Sequence, residues 1–175
     1  MRKLAVIILL VSVASVFPGC VEEEHSEISS MLLSSSAFEN GGVIPMEYTC
    51  DGTDVSPPLN FSGTPENAES LVLIMYDPDA PSGTFTHWLV WNIPVATKGF
   101  SEGEKIVYPQ GTNGFGVTGY RGPCPPSGAT HRYFFKIYAL DTKLDLKPGA
   151  TREQLENAMS GHILAEGQLM GTYSR

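Results

Sequence analysis

Two aspartates and two histidines stand at the ends of apolar runs. Asp77 and Asp79 follow "SLVLIMY", His87 heads "HWLVWNI", and His131 heads "HRYFFKIYAL". Burying a carboxylate or an imidazole costs free energy unless each finds a partner, so these four need one another or a ligand. Together they suit a zwitterion. Asp77 would hold an ammonium, while protonated imidazole and backbone N–H groups would hold a phosphate or carboxylate. Affinity would then rise as pH falls through the histidine range near ~6.5. The competing reading of His131 is a core histidine bonded to a neighbouring carboxylate.

The elements that must position these groups are strands. All three runs are rich in β-branched and aromatic residues, and turn-forming segments separate them. If neighbouring strands pair, the four side chains gather at one rim of the sheet, where loop-borne sites form. Period-two alternation puts His87, Leu89 and Trp91 on one face of the second strand and Trp88 on the other. In the third, His131, Tyr133, Phe135, Ile137 and Ala139 share a face. Arg132, Phe134, Lys136, Tyr138 and Leu140 share the opposite one, and both carry enough apolar bulk for a central strand.

Proline and glycine make the rim stiff. "DPDAPSG" contains Ala80-Pro81, a candidate cis bond in a tight turn. "GYRGPCPPSGATHRY" combines glycines, which bring backbone N–H groups close to a ligand, with prolines, which remove the entropy of holding the loop still. That composition suits an anion nest, although each glycine or proline taken singly is an ordinary turn residue.

Helix signals come late. Thr151 caps "TREQLENAM", Gln154 completes a capping box, and Leu155 and Met159 share a face. "HILAEGQLM", from His162 to Met170, reads as a second helix weakened by Gly167. Strands dominate and helices decorate the end, as in a mainly β sandwich.

The 175 residues suit one domain. Arg2 and Lys3 precede an apolar run from Leu4 to Phe17, shorter than the ~20 residues that span a bilayer, so residues 1–20 read as an export signal. Gly19-Cys20 resembles a lipoprotein processing site, with Cys20 as the lipidated residue; ordinary cleavage and an uncleaved anchor are the alternatives. Residues 21–36 are acidic and serine-rich, a composition suited to a flexible tether, and the folded domain is expected over 37–175. Loss of the signal takes the 11 basic residues down by two, to 9 against 19 acidic ones, a net charge of −10. So acidic a surface argues against nucleic acid and against electrostatic attachment to anionic lipid. Cys50 and Cys124 remain as a candidate disulfide in an oxidising compartment, or as two buried free thiols. "GFGVTG" at Gly114 to Gly119 matches a dinucleotide-binding pattern, but "YRGPCPP" follows it and cannot open a helix. "NFS" at Asn60 fits a glycosylation sequon.

Five segments, in order, carry a resemblance: "YTCDGTDVSPPL", "DPDAPSG", "HWLVWNIP", "GPCPPSGATHRYFF" and "LAEGQLMGTYSR". From Ala37 to Arg175 the chain resembles the phosphatidylethanolamine-binding protein family, which includes Raf kinase inhibitor protein, and in particular its bacterial and archaeal branch. The resemblance implies a sandwich of two antiparallel sheets with peripheral C-terminal helices and a small pocket for anions and phosphate-bearing head groups. Matched residue by residue, it places Asp77, Pro81, His87, Gly122, Pro123, His131 and Tyr133 at that pocket, with Asp79 and Trp88 supporting it.

The expected function is therefore non-catalytic binding of a small phosphate- or carboxylate-bearing ligand by an exported, lipid-anchored protein, with no cofactor and no metal. One alternative is a module that docks on a protease or kinase through its surface. Another is a metal-dependent or acid-base hydrolase. Against the latter, H-E-x-x-H, G-x-S-x-G and P-loop signatures are all missing, and Ser82 and Ser127 lie in Pro-Ser-Gly turns where serine is expected anyway.

Overall fold

The computed structural model describes residues 28–175. The export segment, Cys20 and residues 21–27 of the expected tether lie outside the described residues.

The apolar run at Ser70–Asp77 forms strand β4, and β5 spans Phe85–Ile93, β7 Thr130–Leu140 and β8 Ile163–Ser174. With β1 at Ser29–Ser30 they make a five-stranded sheet in the order β1-β8-β7-β4-β5, antiparallel except where β1 joins β8. A second, antiparallel sheet has the order β2-β3-β6, from Leu32–Ser34, Leu59–Ser62 and Gly99–Phe100. Its buried Leu33, Leu59, Phe61 and Phe100 join Leu73, Trp88, Phe135 and Ile137 of the larger sheet in the main core. Val72, Ile74, Leu89 and Trp91 point the other way, where Leu155 and Met159 of helix α1, Arg152–Met159, help to cover them. β4 is apolar at almost every position because both of its faces are covered, and each large side chain so buried stabilises the fold by about 1.5–3 kcal/mol.

β7 lies between β4 and β8, as its pattern predicts. The Thr151 cap is present with Gln154 as its reciprocal partner.

Three expectations are corrected. Residues 163–174 form a strand, not a second helix, leaving α1 as the single α-helix among the described residues. The register runs unbroken from Thr130 opposite Ser174 to Ala139 opposite Ala165, and Ala165, Gly167, Leu169, Gly171 and Tyr173 are buried alternately. That spacing has the period of a strand. Gly167 is small because the Met31 carbonyl crosses it: a Cβ there would lie 2.4 Å from that oxygen. Second, Ser29–Ser30 and Leu32–Ser34, grouped with the tether by their composition, are paired into the two sheets, and Met31 and Leu33 are buried. Two apolar side chains here outweigh the polar character of the segment around them. Third, no cis peptide bond occurs among the described residues, so Ala80-Pro81 is trans.

Candidate ligand pocket

The end of β4 and the start of β7 lie side by side, with Tyr76 opposite Phe134. This brings the Asp77 carboxylate to the His131 ring, whose Nδ1 lies 2.7 Å from Asp77 Oδ2. Both side chains are less than a tenth exposed. The other oxygen, Oδ1, accepts from the backbone N–H of Asp79 at 2.7 Å, closing a tight turn. Asp79 in turn accepts three hydrogen bonds from Arg132, from its backbone N–H, Nε and Nη2, at 2.6 to 2.9 Å. The guanidinium beside it pulls the Asp79 carboxyl down to about 2. Asp79 is thus a clasp that pins the 77–82 loop to β7.

His87 arrives by a different route. Met75 opposes Trp88 and Tyr76 opposes Thr86, so His87 is an extra residue on β5, a β-bulge. Simple alternation would put it on the face of Leu89 and Trp91. The bulge instead turns it to the inner face, where its ring packs edge-on against Tyr133 at 5.3 Å between centroids, with Phe85 at 5.2 Å and Phe115 at 5.7 Å. Its Nδ1 lies 2.6 Å from the carbonyl oxygen of Arg121, which can only accept, so Nδ1 carries the proton. Burial holds the His87 pKa below its ordinary value of 6.5.

These groups open on a cavity of about 330 Å³. Asp77, His87 and His131 supply its polar floor, Pro81, Phe85, Phe115 and the buried Pro125 part of its wall, and the exposed Cys124, Pro126 and Arg175 its rim. Tyr133 is fully buried beneath both histidines, and its hydroxyl has no hydrogen-bond partner. Burial and the nearby Asp77 charge push that phenol above its ordinary range. Among the described residues no three His, Cys, Asp or Glu side chains gather as a metal ion would require.

Asp77, His87, His131 and Pro81 therefore meet at the cavity, and Asp79 and Tyr133 support it from behind. Trp88 does not line it. It is 1% exposed, lies in the main core, and donates its indole N–H to Gln110 Oε1 at 2.8 Å. Gly122 and Pro123 do not line it either, although the Gly122 backbone lies beside the His87 ring. The Gly122 N–H donates to Asp54 Oδ1 at 2.7 Å, and the Pro123 carbonyl accepts from the Cys50 N–H at 3.1 Å. A Cβ on Gly122 would lie 2.1 Å from the Tyr48 carbonyl, so the glycine serves close packing of two chain segments. Cys50 and Cys124 form a disulfide across that seam, with their Cα atoms 5.4 Å apart. The "GFGVTG" loop is folded around Asn113, whose Oδ1 accepts from the N–H groups of Phe115 and Val117.

Sequence reasoning missed Phe85, Phe115 and Arg175. Phe85 stands two residues before His87 on the same strand, a signal that was readable. Nothing local marks Arg175, which reaches the rim only because β8 runs back along β7.

A buried carboxylate–imidazole pair and a second buried imidazole, set in a stiff apolar cup at the edge of a two-sheet sandwich, define a small-ligand binding protein in form. A profile of the family described as "Phosphatidylethanolamine-binding protein" matches residues 34–174. A UPF0098 protein of Pyrococcus horikoshii is 48% identical over 176 residues, covering 96% of this chain and 88% of the relative. A UPF0098 protein of Chlamydia trachomatis is 48% identical over 150 residues, covering 83% and 99%. The crystal structure of a phosphatidylethanolamine-binding protein homolog from Chlamydia trachomatis superimposes with a TM-score of 0.81 at 47% identity, over 84% of this chain and 99% of that one. Escherichia coli YbcL, described as a member of the mammalian PEBP family, does so with a TM-score of 0.78 at 28% identity, over the same shares. The chain belongs to the phosphatidylethanolamine-binding protein family.

Proposed function

We propose that this protein binds a small phosphate- or carboxylate-bearing molecule in the cavity above Asp77, His87 and His131, without transforming it. The observation that carries the reading is the convergence of three buried polar side chains from β4, β5 and β7 on one cavity walled by proline and aromatic rings. Such groups are costly to bury, and a preformed apolar cup with few polar contacts is the usual form of a ligand site. Its volume, about 330 Å³, is at the small end of the range for ligand cavities, which suits a head-group-sized molecule. The one serine in the lining, Ser82, lies in an exposed turn and has no side-chain hydrogen bond to either histidine. Export and lipid attachment through Cys20 complete the reading. An exposed disulfide and the apolar leader "LAVIILLVSVASVF" are both consistent with an oxidising compartment.

Calorimetric titration with inorganic phosphate and with acetate tests the binding. Saturable uptake by the wild type that is lost in His131→Ala supports the pocket. Absence of uptake of every small anion at millimolar concentration overturns it.

A further inference from the structure

We propose that the protein presents its cavity away from the membrane that holds its N-terminus, so that the ligand arrives from the aqueous space and not from that bilayer. The inference rests on the cavity being a ligand site and on lipid attachment at Cys20, and it adds the direction in which the site faces.

The large sheet has two opposite ends. Asp77 pairs with Phe85 and Thr130 with Ser174, so the end of β4, the start of β5, the start of β7 and the end of β8 lie together, and the cavity is built among them. At the other end Ser70 pairs with Leu140, Leu71 with Ile93, and Leu140 with Ile163. The chain enters at this second end. Ser29 of β1 lies opposite Ala165 and Ser30 opposite Glu166, with the exposed Ile28 just before them. Because β1 is parallel to β8, Ile28 lies off the Ile163 end and not back along the strand towards the cavity.

The length of chain decides whether the domain can turn round. Nine steps separate Cys20 from Ser29. Whatever their conformation, nine residues reach at most about 30 Å. Nine steps also separate Ala165 from Ser174 along β8, about 30 Å at the rise of a strand. The rim residues Cys124, Pro126 and Arg175 lie at that far end, and the chain would have to skirt the domain to bring them to the anchor. Turning the mouth onto the bilayer that holds Cys20 therefore asks for more chain than is present. The exposed turns at the entry end carry Glu66, Glu69, Asp141 and Asp145 against Lys98 and Lys143. Anionic head groups repel such a net acidic end, so the domain stands off its own membrane with the cavity outermost.

The test uses full-length protein, lipidated in its expression host and held on vesicles that carry an acceptor dye on their head groups. Cys50 and Cys124 are bonded to each other, so an added cysteine takes the donor dye. Thr84→Cys puts the donor at the cavity end and Lys143→Cys at the entry end, and both positions are exposed. Energy transfer from Thr84→Cys is expected at about half or less of that from Lys143→Cys, given the ~30 Å between the two ends. Equal transfer overturns the proposal. Inserting ~20 Gly and Ser residues between Ser26 and Glu27 is expected to raise transfer from Thr84→Cys, because the reach then exceeds the length of the domain. No rise overturns the claim that chain length keeps the cavity outward. Thermal melting checks folding, and Ser82→Cys replaces Thr84→Cys if the latter does not fold. Inorganic phosphate is expected to bind vesicle-held and detergent-solubilised protein equally, and a loss of binding on vesicles overturns an outward mouth. An intact mass without lipid on Cys20 removes the anchor, and absence of phosphate binding in both states removes the ligand site. Either result ends the proposal through its premise and is distinct from equal transfer.

Discussion

Asp77 and His131, 54 residues apart in the chain, share a 2.7 Å hydrogen bond at the cavity floor with both side chains almost out of solvent. Neither has another way to be buried cheaply. Asp77→Asn puts an amide donor, or a single oxygen shared between two donors, where two oxygens now accept. We expect a loss of about 1–3 kcal/mol in denaturant unfolding. A double-mutant cycle with His131→Ala should be strongly non-additive, and additive losses would show that the two act independently.

Gly122 stands where the family resemblance implied ligand contact, but its neighbour is the Tyr48 carbonyl. Gly122→Ala should therefore lower stability by roughly 1–3 kcal/mol, the usual cost of forcing atoms into a packed seam. The control is Gly83→Ala, where the added Cβ meets nothing within 4 Å but the backbone φ is +96°, so any loss there reports backbone strain and not crowding. Wild-type stability in Gly122→Ala would contradict the packing role.

Acid should weaken the fold in two windows. The folded His87 pKa lies below 6.5, so the unfolded chain takes up the proton first and stability falls as pH drops below about 6.5. The folded Asp79 pKa is about 2 against an ordinary 3.8, so its contribution is complete above that ordinary value and is lost as pH falls from there toward 2. Melting temperature measured against pH should show both declines. Asp79→Asn should abolish the lower one and His87→Gln the upper; a variant that keeps the decline assigned to its residue refutes that assignment.

The Cys50–Cys124 bridge closes a loop with a sequence separation of 74 residues. Loop-closure entropy puts its contribution at roughly 4 kcal/mol, within a broad range of observed values. Both cysteines are exposed, so a small thiol can reach them. Unfolding midpoints should fall on reduction and in Cys50→Ser/Cys124→Ser. Equal midpoints with and without reductant would mean that the hydrogen bonds across the seam, such as Tyr120 to the Tyr48 carbonyl and Arg121 to Asp54, suffice alone.

Much of the site was legible because its residues sit at the ends of strands. Asp77, Asp79, His87 and His131 flank runs whose β-branched and aromatic composition marks them as strands, and antiparallel pairing then brings strand ends together. Gly122, Pro123 and Trp88 were implied by resemblance alone, and the structure gives them packing work beside the cavity. The stretch from His162 to Met170 invites a helix because "LAEGQLM" contains good helix formers, although its alternate small and apolar residues carry the period of two of the strand that forms there.

Sequence by itself determined what depends on near neighbours: the alternation of β7, the capping box of Thr151 and Gln154, and the charged groups that end each strand. Tertiary structure alone decided the rest. The bulge that turns His87 inward exists only in the register between β5 and β4, and Gly167 is needed only because the Met31 carbonyl passes over it. Arg175 reaches the rim only through the pairing of β8 with β7. Local sterics are written into consecutive residues, whereas a contact between distant segments is selected by the free energy of packing the whole chain.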